Sequence, residues 1–171
     1  MTNRFVVFAS ILLALLLQWA CTQSSGLTAE EKQNKTAVER IFNEFVNQAN
    51  EATFDELVDA NIKEHEQLPP GFEQSGEGVK QMFRAFRGGF PDLNFKIDQL
   101  IAADDKVVVR LTVTGTHEGQ FMNMAATSKK VSYSVIDIFR LSNGKITEHW
   151  GISDNLAMMT QLGVIPAGPP D

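Results

Sequence analysis

The stretch VSYSVIDIFRLSNGKITEHWGISD, residues 131–154, decides how this chain folds. Two alternating runs flank Ser142-Asn143-Gly144, the pattern of an antiparallel hairpin. On the first run Val131, Tyr133, Val135, Asp137, Phe139 and Leu141 share one face, and Ser132, Ser134, Ile136, Ile138 and Arg140 share the other. The second strand's register depends on the turn. A two-residue type I′ turn centred on Asn143-Gly144 pairs Asp137 with Trp150 and turns His149 to the opposite face. A type I turn at Ser142-Asn143, with Gly144 as the αL residue of a G1 bulge, sets Asp137 opposite His149. The bulged register is expected. It gathers Tyr133, Asp137, His149 and Gly151 on one face and leaves Ile136, Ile138, Ile146, Trp150 and Ile152 together on the other.

Two further runs, LNFKIDQLIAA (93–103) and KVVVRLTVTGTHEG (106–119), alternate in the same way, so four strands follow one another as a meander. Upstream the period is helical. Thr28 and Glu31 make a T-x-x-E capping box, and Val38, Ile41, Phe42, Phe45 and Val46 form an apolar stripe on a helix running to about Asn50. Thr53 and Glu56 repeat the box for a short second helix, and ANIKEHEQ (60–67) reads as a strand. Ser75 caps a third helix carrying Val79, Met82, Phe83 and Phe86, which GGFPD breaks. The order α-α-β-α-β-β-β-β defines an α+β domain over residues 28–165, a curved mixed/antiparallel sheet wrapped around helices and forming a conical apolar cavity. Asp154 is placed to cap a last short helix with Leu156, Met159 and Leu162, and Met158 and Met159 read as core.

Asp137 lies among apolar neighbours, where a desolvated carboxyl group is suited to move a proton near neutral pH. His117 follows Val107, Val109, Leu111 and Val113 on one face; a lone histidine there is more often a satisfied core or rim residue, so it is a candidate contact and not a candidate catalyst. On one strand His65 points away from Glu64 and Glu66, so these three do not converge on a metal, and His65 is placed at the pocket mouth. No nucleotide-binding glycine pattern or ligand cluster appears, and neither a metal nor an organic cofactor is expected.

The chain has 171 residues, enough for one domain, and its 12 phenylalanines supply bulk for a core or a greasy pocket. A formal charge of −6 without any Lys/Arg run lacks the footprint of a nucleic-acid binder. Residues 1–20 read as an export signal, with Arg4, an apolar run from Phe5 to Leu17 and a polar exit. The run is short for a bilayer span, which needs about 20 apolar residues. Cys21, the only cysteine, follows directly and is the expected lipidation site, so the protein is expected outside the cytoplasm, held to a membrane through its N-terminal lipid only; a plainly secreted periplasmic or extracellular protein and an uncleaved anchor are the alternatives. Residues 21–27 form a linker and 166–171 a tail.

Blocks along the chain carry a resemblance. They are Gly78-Val79 and Phe83, Phe90-Pro91-Asp92-Leu93, the run from Asp105 to Arg110, and the run from Thr114 to Gly119 with Phe121. Asp137-Ile138-Phe139-Arg140, Gly144-Lys145-Ile146, Glu148-His149-Trp150, Asp154 and Gln161-Leu162-Gly163 complete them. Together they resemble the SnoaL-like ester cyclases, relatives of the polyketide cyclases, on the fold shared with ketosteroid isomerase and the nuclear transport factors. The resemblance implies ring closure by intramolecular aldol condensation, with an aspartate of the last long strand as acid and base. That aspartate's position is Gly151 here, and the histidine beside it falls on Asp137, which implies a carboxylate moved across the strand pair. The expected activity is acid/base chemistry on a small hydrophobic carbonyl compound, by aldol cyclisation or isomerisation. Asp137 is the expected base, and His149 orients it or donates a proton. Tyr133, His117, His65 and Gly151 are the expected substrate contacts, Tyr133 toward the enolate oxygen. The alternative is a non-catalytic cup for a hydrophobic ligand. A homodimer through the face bearing Ile136, Ile138, Trp150 and Ile152 is expected, as this fold often forms one, and is compatible with either.

Overall fold

The computed structural model describes residues 26–166. The expected export signal, Cys21 as its expected lipidation site and the end of the tail lie outside them, and no helix among the described residues is long and apolar enough to cross a membrane. Helix α1 (Ala29–Arg40) opens on the expected capping box: the Glu31 amide donates to Thr28 Oγ1 at 3.1 Å, and the Thr28 amide donates to Glu31 Oε2 at 2.7 Å. It continues through a π-helical segment, Ile41–Val46, whose Ile41, Phe42, Phe45 and Val46 are all buried. The side-chain amide of Asn47 then pairs with the Phe95 backbone in both directions, at 3.0 and 2.8 Å, which docks the end of this helix on the sheet.

Helix α2 (Glu51–Leu57) begins after Asn50, not at Thr53. Thr53 is buried, and its hydroxyl donates to Glu44 Oε2 at 2.7 Å, a stronger use than an exposed cap. Strand β1 (Val58–Glu64) follows at once, two residues earlier than the alternation suggests. Ser75 caps α3 (Gly76–Gly89) by accepting from the Gly78 amide at 3.2 Å. The meander comprises β2 (Asn94–Ala103), β3 (Lys106–Thr116), β4 (Lys130–Ser142) and β5 (Lys145–Ser153). Helix α4 (Asn155–Leu162) is capped by Asp154, which accepts from the Ala157 amide at 2.9 Å. Met158 and Leu162 are buried, Met159 packs half-buried against the same core, and Leu156 stays outside, 65% exposed.

The sheet is open, five-stranded and ordered β1-β5-β4-β3-β2, antiparallel throughout the meander and parallel where β1 joins β5. Val107, Val109, Leu111 and Val113 of β3 and Val131, Tyr133, Val135, Phe139 and Leu141 of β4 meet the helices on its concave face. Asp137, 7% exposed, lies in the middle of that apolar face.

The hairpin register is neither of the two simple ones. Asn143 and Gly144 both take positive φ, 51° and 76°, so the turn is type I′ and pairs Ser142 with Lys145 and Leu141 with Ile146. An irregularity between Arg140 and Leu141 then leaves Thr147 as an extra residue in β5, and Phe139 pairs with His149, Ile138 with Trp150 and Asp137 with Gly151. The expected G1 bulge at the turn is replaced by a bulge inside the strand. The reason lies in burial: Leu141 and Ile146 are both under 3% exposed and must meet in the core. A regular strand would next turn Glu148 and Trp150 inward; the extra Thr147 resets the alternation and brings His149 and Gly151 to Asp137's face. Gly144→Ala places a Cβ in the left-handed region and is expected to cost about 1–2 kcal/mol. A urea midpoint lowered at unchanged slope checks it; an unchanged midpoint contradicts the turn assignment.

Candidate functional site

Between the concave face and the helices lies a cavity of about 340 Å³. Its walls are apolar: Phe42, Phe45 and Phe54 from the first helices, Phe83 and Phe86 from α3, and Met158 and Met159 from α4. Four ionisable acid/base groups enter it among the described residues, Glu64, Glu66, Asp137 and His149, with the Tyr133 phenol beside them.

His149 joins three strands. Its Nδ1 lies 2.8 Å from both oxygens of Glu64, whose side chain is 3% exposed, and the parallel pairing of Glu64 with His149 across β1 and β5 sets that contact. Its Nε2 lies 3.4 Å from Asp137 Oδ1, an ion-pair separation without an aligned hydrogen bond, and has no closer partner. The ring stacks on Phe139 with centroids 4.8 Å apart. Burial alone would make the imidazole harder to protonate, but the contacts with Asp137 and Glu64 outweigh it and push its pKa up to about 10. The ring is therefore an imidazolium at neutral pH.

Glu66 leaves β1 on the same side as Glu64. Its amide donates to Glu64 Oε1 at 3.0 Å, and its carbonyl accepts from Gln74 Nε2 at 2.5 Å, so its backbone is held from two directions. One carboxylate oxygen each of Glu66 and Asp137 and a ring nitrogen of His149 lie within 4.8 Å of one another. Burial raises the Glu66 pKa above the usual glutamate range; His149 opposes this, and the charges of Asp137 and Glu64 add to it. Burial, then the Glu66 charge, also hold the Tyr133 phenol well above its usual value, so it stays a neutral donor.

Tyr133, Asp137 and His149 thus share one cavity, and Gly151 lies beneath Glu66 and Asp137. Two expected contacts do not reach it. His117 is fully buried beyond the β3 terminus, stacked on Phe90 at 5.0 Å with Nδ1 3.1 Å from Thr127 Oγ1, because the face it extends is by then filled by Phe90 and Phe121. His65 stacks on Trp150 at 4.3 Å and meets Glu148 at 2.7 Å, on the outer side of the sheet, because alternation along β1 turns it away from its acidic neighbours. Sequence reasoning missed Glu64 and Glu66 as site residues. The signal was present in Glu64-His65-Glu66, which sets both acids on one side of an extended segment; which strand lies beside them was not.

A helix-lined, one-sheet cup with its charges gathered at one end defines a class of small-molecule protein. The family model described as SnoaL-like polyketide cyclase matches residues 36–162, and the chain belongs to that family. A proposed polyketide cyclase from Bacillus cereus is similar at 34% identity and a TM-score of 0.70, over 81% of this chain and 87% of that one. IdmH from Streptomyces antibioticus, also a proposed polyketide cyclase, is similar at 28% and 0.67, over 77% and 99%. TsrD from Streptomyces laurentii is similar at 25% and 0.70, over 82% and 100%. No curated protein matches the chain.

Because the folded pKa of His149 is raised above the ordinary histidine value, its contribution to stability is complete below about pH 6.5 and is lost as pH rises through about 10. Imidazole ¹⁵N shifts of His149 are expected to show both nitrogens protonated at pH 8, and Glu64→Gln to move the titration down. A neutral His149 at pH 8 in the intact protein contradicts this charge assignment.

Proposed function

We propose that the protein enolises a small, largely apolar carbonyl compound, in the manner of an aldol cyclase or isomerase, with Asp137 as the base. The observation that carries this reading is the His149 imidazolium bridging Glu64 and Asp137 at the polar end of an otherwise apolar cavity. Largely apolar walls limit the water around a bound carbonyl group, and the ionisable partners it can find are gathered around His149. Asp137 takes the proton from the carbon beside the carbonyl; His149 balances the carboxylate's charge and fixes its orientation, and Glu64 holds the ring from behind. Tyr133, kept neutral, faces the same space as a hydrogen-bond donor for developing enolate charge. The export segment and Cys21 belong to the proposal as well: the reaction runs outside the cytoplasm, on a domain tethered by lipid.

Solvent deuterium entering the α-position of 2-tetralone, a compact apolar ketone, reads this chemistry without the natural substrate. Exchange above the buffer rate is expected, with a loss of about 100-fold or more in Asp137→Asn. An unchanged rate in that variant contradicts the assignment of the base. Tetralone retained in native mass spectra but never exchanged supports a ligand-binding cup instead.

A further inference from the structure

Gly151 faces a space that another residue fills. A Cβ built on it would collide with Glu66 Oε2 and come within 2.8 Å of Asp137 Oδ1. Gly151 is paired with Asp137 inside β5 and has no positive φ, so the backbone does not call for glycine. The room does: a glycine within a strand marks a close approach, and the approaching group here is a carboxyl. That carboxyl comes from the chain leaving β1, where the Glu64 side chain and Gln74 fix the Glu66 backbone.

Four groups meet at this end of the cavity, with one imidazolium to balance three carboxyl groups. His149 spends Nδ1 on Glu64 and turns Nε2 toward Asp137, so Glu66 has neither a hydrogen bond nor an ion pair from a cation. Elements packed around it add no other charge: β4 contributes Asp137 and Tyr133, β5 contributes His149, β1 contributes Glu64, and α3 and α4 face the cavity with Val79, Met82, Phe83, Met158 and Met159. A carboxyl group so placed holds its proton longer than an ordinary glutamate, chiefly through burial.

We propose that Glu66 is the proton donor of this site, and that position 151 is glycine so that the Glu66 carboxyl can stand over β5 beside Asp137. The assignment rests on the enolisation reading above. In the forward step Asp137 takes the α-proton, the C–H pair becomes the enol double bond, and the carbonyl oxygen takes the Glu66 proton. Glu66 is left ionised and Asp137 neutral. On ring closure the enol carbon bonds to a second carbonyl carbon, whose oxygen takes the proton from Asp137; the enol hydroxyl returns its proton to Glu66, and both residues are restored.

The test uses the described domain's full chain with 2-tetralone in deuterated buffer. Glu66→Gln keeps the shape and removes the proton; a loss of about 100-fold in exchange is expected, together with loss of the wild-type fall in rate as pH rises through the Glu66 pKa. Gly151→Ala, whose Cβ would displace the Glu66 carboxyl and press on Asp137 Oδ1, is expected to lower exchange while the variant still binds tetralone. Full activity in Glu66→Gln alongside an inactive Asp137→Asn overturns this proposal and leaves the enolisation reading intact. Absence of exchange in the wild type overturns both. Carboxyl ¹³C titration reads the proton itself and guards against a variant that fails to fold: a Glu66 midpoint above the ordinary glutamate range supports the assignment, and one within that range overturns it.

Discussion

The whole arrangement hangs on one imidazole. His149 reaches a carboxylate on β1 with one nitrogen and turns the other toward a carboxylate on β4, so one side chain ties together three neighbouring strands at the bottom of the cavity. That link is possible only because β5 carries an extra residue at Thr147, which turns His149 inward after Ile146 has satisfied the core. The same reset points Trp150 outward, where it stacks on His65 and lies under the Arg140 guanidinium at 5.5 Å. One bulge therefore sorts the strand into a chemical face and a packing face.

Charge is the argument for reading these groups as a site and not as scaffold. An ion pair in a dry interior seldom repays its desolvation, and apolar side chains would pack the cavity floor at no such cost. Removing one partner from such a pair costs about 3–5 kcal/mol, because the other is left buried and uncompensated. Of the three carboxyl groups it is Glu66 whose pKa burial raises above the usual glutamate range, with His149 opposing and the charges of Asp137 and Glu64 adding to it. An acid with a raised pKa, a second carboxyl group and a fixed cation within one apolar cup are parts suited to proton transfer beside a carbonyl.

Much of this was legible in the alternation and the caps. Thr28, Ser75 and Asp154 cap the helices that their patterns announce, and Val131 through Leu141 bury the face that their parity assigns, Asp137 included. Thr53 shows where a pattern is outbid: its hydroxyl serves Glu44 in the interior, and Asn50 precedes the helix in its place. His117 continues an inward face but passes beyond the cavity, a matter of length that parity does not encode. The acids of β1 were hidden for a different reason. Their face follows from sequence, but their partner does not, since β1 reaches β5 by parallel pairing across 85 positions of the chain. For the same reason Gly151 reads locally as an empty position, although the Glu66 carboxyl occupies its space.

The most direct measurement is a crystal structure with 2-naphthol, a planar, stable mimic of the enol of 2-tetralone. A site that stabilises an enol binds such a mimic in the geometry of the reaction. The naphthol rings are expected against Phe42, Phe83 and Met158, with the hydroxyl within hydrogen-bond distance of Glu66 or Asp137 and turned toward Tyr133. Naphthol bound with its oxygen at the cavity mouth, away from these groups, would contradict the assignment of this cavity as a site of proton transfer.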